Sequence, residues 1–238
     1  MVFIPVSDEN PLRAIRLQWV TLGLIAVNVI VFLLELFGEG PGTQAAIVSF
    51  AVVPSELLQF QGLDGTAAPA GLSLPMPEWL TLITYQFLHG GVLHLLSNML
   101  FLWVFGDNVE DALGHVRFLA FYLLCGVAGG LAHAALLPSS QLPLIGASGA
   151  VSGVIAAYLM LHPRVRVWVL AFRILPLRLA AFWVLGFWVV SQLVMVVLSP
   201  TDDVAWWAHI GGMAMGAVLV LFMRRPGVML FDRGLVRP

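Results

Sequence analysis

The chain has 238 residues, of which 60% are hydrophobic and only 10% are charged. Soluble globular proteins carry roughly 25% charged residues, so this composition places the chain in the membrane class. The net charge of −2 gives no indication of a nucleic-acid partner, and the single cysteine, Cys125, excludes an internal disulfide. The sequence contains no Cys/His cluster, no His-Glu-x-x-His motif and no phosphate-binding loop, so we expect neither a metal nor another cofactor.

Six apolar segments are long enough, or nearly long enough, to cross a bilayer as helices. They cover residues 17–37, 92–106, 116–137, 148–162, 176–198 and 205–223. The first run is too long for a cleaved signal peptide, and we expect it to be a retained span. The second and fourth are short, which predicts helices that start or stop inside the protein. The sequence therefore predicts an all-α polytopic membrane protein with a six-transmembrane-helix bundle.

The domain organisation follows from these spans. Residues 1–16 form a short N-terminal segment, 17–223 the membrane domain and 224–238 a short tail. The connection 38–91 is long, contains several prolines and glycines and carries few charges. Its apolar pieces, Ala45–Val53 and Trp79–Leu88, are too short to span and predict short helices at the membrane surface.

Arginine positions orient the bundle, because the chain contains no lysine. With six spans, all arginines fall on one side of the membrane, before the first span, after the last, and in the two connections that face the same way. The opposite connections carry only acidic residues. By the positive-inside rule, both termini are expected in the cytoplasm.

Two polar residues stand out near the predicted non-cytoplasmic side. Ser148 begins the fourth span within Gly146–Ala150, where backbone N–H groups of a first helical turn lack intrahelical acceptors. A serine beside glycine can also be a simple packing residue. His209 begins the sixth span, where an imidazole can be a structural hydrogen-bonding group, a proton relay or a general base toward a serine hydroxyl.

Glycines suggest that the fourth and sixth spans approach closely. Gly149 and Gly153 form a small-residue face on the fourth span, and Gly212 and Gly216 form another on the sixth. Such faces allow backbones to pack tightly. We therefore expect these four glycines to support a contact that brings the Ser148 hydroxyl within reach of the imidazole.

His94 and Asn98 are four residues apart and share one face of the second span. Asn98 can simply hydrogen-bond a neighbouring helix. Both side chains can also donate hydrogen bonds toward developing negative charge, as acyl transfer requires. His89 is expected to brace the preceding loop.

Taken together, these motifs resemble the rhomboid family of intramembrane serine proteases. The matching stretches are Thr84–His89, His94–Asn98, Gly106–Gly114, Gly146–Ala150 and Ala208–Gly212. They occur in the family's order within residues 79–220. Each motif is weak alone, and their combination on six oriented spans is specific.

The resemblance implies that Ser148 is the nucleophile and His209 its general base. It implies an oxyanion hole made by the backbone N–H of Ser148 and the side chains of His94 and Asn98. It also implies a water-filled cavity open to the extracellular or periplasmic side and a transmembrane protein as substrate. The connection 38–91 would be the family's membrane-embedded first loop, beside the site.

The chain departs from the family pattern at two points. Ser152 occupies a position where an aromatic residue often packs on the catalytic histidine, so either the imidazole is less firmly oriented or another aromatic residue, such as Trp206 or Trp207, supports it. The Trp-Arg pair of the first loop is absent, since Trp79 is followed by Leu80. This second departure concerns the anchoring of the loop rather than the chemistry.

Three interpretations compete. The favoured one is peptide-bond hydrolysis through an acyl-enzyme by a Ser-His dyad, with Asp202 and Asp203 interpreted as solvated loop charges. The alternative is a non-catalytic rhomboid-like protein that binds or escorts membrane proteins, for which loss of the serine or histidine would be the sign. A transporter would show inverted repeats, which residues 1–119 and 120–238 do not. The expected location is a bacterial inner membrane.

Overall fold

The computed structural model describes most of the chain. The described residues are 3–38, 47–58, 77–172, 174–198 and 204–231. The loop residues Asp202 and Asp203, parts of the predicted first loop and the end of the tail lie outside these ranges.

Most described residues are helical. The α-helices are α1 Trp19–Phe37, α2 Pro54–Leu58, α3 Glu78–Thr84, α4 Val92–Leu113, α5 His115–Leu136, α6 Ser148–Leu161, α7 Ala181–Leu198 and α8 Trp206–Met223. A 3₁₀ helix, Tyr85–Phe87, follows α3. Five helices in the described part (α1, α4, α5, α7 and α8) are long and apolar enough to cross a membrane. The chain is thus an integral membrane protein.

Helix α6 is the exception in length. Its 14 residues rise about 21 Å, which is short of the roughly 30 Å of a bilayer core. Ten of these residues are buried, because α6 packs against α4, α5, α7 and α8 at the centre of the bundle. A helix enclosed by protein does not have to match the bilayer thickness. Six full crossings therefore remain a prediction.

The second predicted span has a wrong boundary. The second was expected to stop at residue 106, yet α4 continues to Leu113 through Asp107, Asn108 and Glu110. Asn108 and Glu110 are buried there and have partners on the N-terminal part of the chain. Because the helix is held by tertiary contacts rather than by lipid, its apolar pattern underestimates its length.

Three short strands correct the prediction of a strictly all-α fold. Strand β1 (Phe3–Asp8) pairs antiparallel with β2 (Arg166–Ala171), which pairs antiparallel with β3 (Leu175–Ala180). The predicted fifth span began at residue 176, within β3, and the helix begins only at Ala181. Apolar residues that alternate between faces were mistaken for the start of a membrane helix.

The end of α4 holds the start of the chain. The Glu110 carboxylate accepts hydrogen bonds from the N–H groups of Val20 and Thr21, at 3.0 and 2.8 Å, and from the Thr21 hydroxyl at 2.6 Å. Asp111 accepts the N–H groups of Arg13, Ala14 and Ile15. These carboxylates satisfy backbone donors at and before the start of α1, where helical partners are missing. We call this region the carboxylate end.

The described pieces of the first loop lie at the opposite end of α4. Helix α3 and the 3₁₀ helix replace the single predicted helix Trp79–Leu88. Val52 exchanges two backbone hydrogen bonds with Leu144, at 3.1 and 2.7 Å. The carbonyl of Tyr85 accepts the N–H of Gly146 at 2.9 Å. The loop is therefore attached to the segment that leads into α6.

Candidate active site

A cavity of about 1050 Å³ lies between α4, α5, α6, α7 and α8. Its walls are largely apolar, including Phe101 of α4 and Trp188 of α7. The polar side chains His94, Asn98, His133, Ser148, Ser191, Gln192 and His209 also line it. We call this region the cavity end. An apolar pocket with a few convergent polar groups is the usual form of a binding or active site.

Ser148 is the first residue of α6 and lines this cavity. The preceding Gly146 has a φ of +124°, which L side chains rarely adopt. A Cβ atom there would lie 2.6 Å from Cε1 and 2.7 Å from Nε2 of His94. Glycine therefore allows both the backbone turn into α6 and the close approach of the His94 ring.

Asn98 lies one turn after His94 on α4 and is 6% exposed. Its amide nitrogen Nδ2 is buried and has no hydrogen-bond partner among the described residues. Nearly all buried polar atoms in proteins have partners, so an unpaired donor on a cavity wall requires an explanation. A ligand oxygen inside the cavity would provide the missing acceptor.

His209 lies in the first turn of α8 and is 8% exposed. Its Nδ1 atom is 2.8 Å from Oε1 of Gln192 on α7. The Trp206 ring meets the imidazole edge-on, with centroids 5.8 Å apart, and the Trp188 ring lies at 6.2 Å. Ser152 makes a hydrogen bond within its own helix, because its hydroxyl donates to the carbonyl of Ser148 at 2.6 Å. The two tryptophans therefore provide the aromatic contacts to the imidazole.

The backbones of α6 and α8 meet through glycines. A Cβ atom on Gly212 would overlap the carbonyl of Gly149, and one on Gly216 would overlap that of Gly153. The same contact continues to α5, where a Cβ on Gly129 would lie 2.7 Å from the carbonyl oxygen of Ala208. The helix that begins with Ser148 and the helix that carries His209 are therefore in direct backbone contact.

Gln192 was not among the site residues expected from the sequence, where hydrogen bonding between helices or snorkelling to the interface explains such a residue adequately. The bond exists, and its acceptor faces the proposed base. The available signal was a polar residue within an apolar span, which by default suggests function.

His89, expected to brace the loop, is buried with its ring 5.1 Å from that of His94, and its N–H is 3.3 Å from Glu35. No group of three potential metal ligands occurs among the described residues.

Comparison with known proteins identifies the family. Residues 76–226 match the rhomboid domain family model. The chain is 35% identical over 136 residues to "Rhomboid protease GluP" of Bacillus subtilis, covering 57% of this chain and 23% of that protein. It is 36% identical over 149 residues to "RHOMBOID-like protein 4" of Arabidopsis thaliana, covering 62% and 35% respectively.

A third relative is "RHOMBOID-like protein 12, mitochondrial" of Arabidopsis thaliana, which is 30% identical over 155 residues, covering 58% of this chain and 44% of that protein. The matches thus span less than half the length of each of these three relatives. The family model nevertheless matches well over half of this chain and includes every proposed site residue. The chain belongs to the rhomboid family.

Proposed function

We propose that this protein is an intramembrane serine endopeptidase that cleaves transmembrane segments of other membrane proteins. The observation that carries the proposal is one cavity among apolar helices that is lined by Ser148, His209, His94 and Asn98 together. Relatives that are named as rhomboid proteases support this activity at the level of the family. Ser148 is the nucleophile and His209 is its general base.

The reaction proceeds through an acyl-enzyme. The Nε2 atom of His209 takes the proton as the Ser148 oxygen attacks the substrate's carbonyl carbon, and a tetrahedral oxyanion forms. The imidazolium then gives its proton to the leaving amine as the peptide bond breaks. Water, activated by the same imidazole, hydrolyses the ester and regenerates the serine.

Three donors stabilise the oxyanion in this mechanism. They are the Ser148 backbone N–H at the start of α6 and the side chains of His94 and Asn98. The unpaired Nδ2 of Asn98 supports this assignment, because it is a buried donor that needs an acceptor. A donor of this kind contributes roughly 3 kcal/mol to transition-state stabilisation when it is aimed at developing charge.

The substrate reaches the cavity from the lipid. An intact helix hides its own peptide bonds, so we expect substrates with small or helix-weakening residues near the cleavage point. Helices α4 and α7 both line the cavity, and the rings of Phe101 and Trp188 meet between them at 6.0 Å. We infer that a substrate enters between these two helices.

The proposed topology has six crossings, with α6 as the short fourth one. The arginine distribution puts both termini in the cytoplasm. Ser148 and His209 each lie in the first turn of their helix, and these helix starts face the outer side in this topology. Cleavage is thus expected near the extracellular or periplasmic end of the substrate segment, in a plasma membrane if the source is bacterial.

The test uses purified protein reconstituted with a model transmembrane substrate. Ser148→Ala and His209→Ala are expected to abolish cleavage and labelling by a serine-directed fluorophosphonate. Ser55→Ala, on α2, is the matched control: the Ser55 side chain does not line the cavity, so the variant should retain both. Cleavage by folded Ser148→Ala would refute the proposal. Substrate binding by the wild type without any cleavage would favour the escort alternative.

A further inference from the structure

Gln192 has its side chain fixed at both polar atoms. It lies on α7 and is 6% exposed. Its amide nitrogen Nε2 lies 3.2 Å from the carbonyl oxygen of Trp188 and 2.9 Å from the hydroxyl of Ser191. Its amide oxygen Oε1 lies 2.8 Å from Nδ1 of His209. The side chain therefore links the wall of the cavity to the imidazole.

The chemistry of these partners determines which amide atom faces which neighbour. The Ser191 hydroxyl donates its own hydrogen to the Trp188 carbonyl at 2.6 Å, so its oxygen is left as an acceptor for Gln192. Both neighbours of Nε2 are then acceptors. Rotating the amide by 180° would place its oxygen against them, with no hydrogen between. The oxygen must therefore face His209.

An amide oxygen only accepts hydrogen bonds, so Nδ1 of His209 must be the donor. In a neutral imidazole, a proton on Nδ1 leaves a lone pair on Nε2. The Nε2 lone pair is the group that a general base needs to take a proton from the serine. The hydrogen bond thus selects the tautomer that the chemistry requires.

We propose that Gln192 is a positioning residue that holds His209 in its Nδ1-protonated tautomer and in the orientation needed to deprotonate Ser148. The catalytic part of this inference rests on the proposed function. An amide then fills the place that a carboxylate occupies in a Ser-His-Asp triad, as the asparagine of a Cys-His-Asn site does. It directs the imidazole without adding a charge.

The surroundings leave this role to Gln192. The described residues that line the cavity include no Asp or Glu, and the other titratable groups facing His209 are His94 of α4 and His133 of α5. Trp206 and Trp188 contact the imidazole with their rings, which restrict its position and do not select a tautomer. Asp202 and Asp203 lie outside the described residues.

Two substitutions separate positioning from simple packing. Gln192→Leu keeps the volume and removes the acceptor, so we expect kcat to fall at least about tenfold with little change in KM. Gln192→Glu keeps an acceptor and adds a negative charge that favours the imidazolium, so the acid limb of the pH–rate profile should move up by roughly one pH unit. A loss of packing alone would lower activity equally at every pH.

The matched control is Leu193→Ala, the next residue on α7, which is exposed and does not line the cavity. It should retain wild-type kcat and the wild-type pH profile. Wild-type kcat in Gln192→Leu, or an unchanged pH–rate profile in Gln192→Glu, would overturn the inference. If cleavage still requires Ser148 in that case, the proposed function stands.

A second measurement does not depend on activity. NMR of protein labelled with ¹⁵N-histidine reads the protonated nitrogen of His209 directly. We expect Nδ1–H in the wild type and a gain of Nε2–H in Gln192→Leu. Nε2–H in the wild type would overturn the inference even if cleavage failed for another reason. Conversely, Nδ1–H with full cleavage by Ser148→Ala would leave the hydrogen bond intact and refute the proposed function alone.

Discussion

The acidic side chains at one end of α4 and the polar side chains around the cavity at its other end are in opposite states. At the carboxylate end, Glu110 is fully buried and accepts three hydrogen bonds from Val20 and Thr21, besides facing Nδ1 of His115 at 2.5 Å. At the cavity end, buried atoms of Asn98, His133 and Trp206 have no partner among the described residues. Polar groups whose hydrogen bonds are made within the protein stabilise the fold. Buried polar atoms that lack a partner beside the cavity can instead form hydrogen bonds with a substrate.

The largest expected change in stability comes from Glu110→Ala. It leaves the N–H groups of Val20 and Thr21 without their acceptor at the start of α1, and we expect the free energy of unfolding to fall by roughly 3 kcal/mol. Unfolding of the purified protein in detergent measures this. The protein that stays folded should cleave at close to the wild-type rate, because Glu110 is at the far end of α4.

The control for Glu110 is Glu9→Ala. Glu9 is an exposed carboxylate that pairs with Arg178 on the sheet, and its removal should lower the free energy of unfolding far less than the removal of Glu110 does. Equal losses from the two substitutions would show that burial and multiple partners do not distinguish Glu110.

Asn98→Ala tests the opposite end of the comparison. Its Nδ2 donates to nothing in the described structure, so we expect the free energy of unfolding to change by less than about 0.5 kcal/mol. We expect kcat to fall about 100-fold, because an oxyanion donor is lost. Unfolding in detergent and steady-state cleavage of the model substrate measure the two effects.

Asn28→Ala is the matched substitution for Asn98→Ala. The Asn28 amide is buried on α1 and donates to the carbonyl of Leu24 at 2.7 Å. Its loss should lower stability by about 1 kcal/mol and leave kcat unchanged. A reversed pattern, in which Asn98→Ala unfolds the protein and Asn28→Ala slows cleavage, would contradict the assignment of Asn98 as an oxyanion donor.

The last expected effect concerns pH and strand β1. Burial raises the pKa of Asp8 from 3.8 to about 6, although a hydrogen bond from Tyr158 opposes the rise. The folded protein then binds more protons than the unfolded chain between pH 4 and 6, so stability falls as pH rises through this range and is level above it. The fall is at most roughly 3 kcal/mol, and smaller because Asp8 is partly exposed.

Asp8→Asn removes this dependence. Unfolding measured from pH 4 to 7 should give a flatter curve for the variant than for the wild type. A wild-type protein that becomes more stable between pH 4 and 6, by a margin that Asp8→Asn abolishes, would show that the sign is wrong.

The sequence predicted those parts of the fold that depend on local composition. Long apolar runs located α1, α5 and α8 to within about two residues, because a membrane helix is defined by its own side chains. The sheet was missed because β1 pairs with β2 about 160 residues later, and no local pattern encodes such a partner. The end of α4 was missed because its polar residues are satisfied by distant backbone.

The site shows the same division. Ser148 and His209 could be selected from short motifs, since each lies within three residues of two glycines. Gln192 could not be assigned to His209, because that contact depends on the rotation of α7 about its axis and on its distance from α8. Asn98 was found from its spacing to His94, whereas only the structure shows that its Nδ2 atom has no partner among the described residues.

Strand β3 ends at Ala180 and α7 begins at Ala181, with no residue between them. The amino terminus is connected to this junction through β2, and the Phe3 ring rests edge-on against Phe187 of α7 at 5.6 Å. The helix that carries Gln192 is thus packed against Phe3 of strand β1. An affinity tag placed directly before Phe3 would disturb this contact, so the protein is expected to tolerate a tag better after α8.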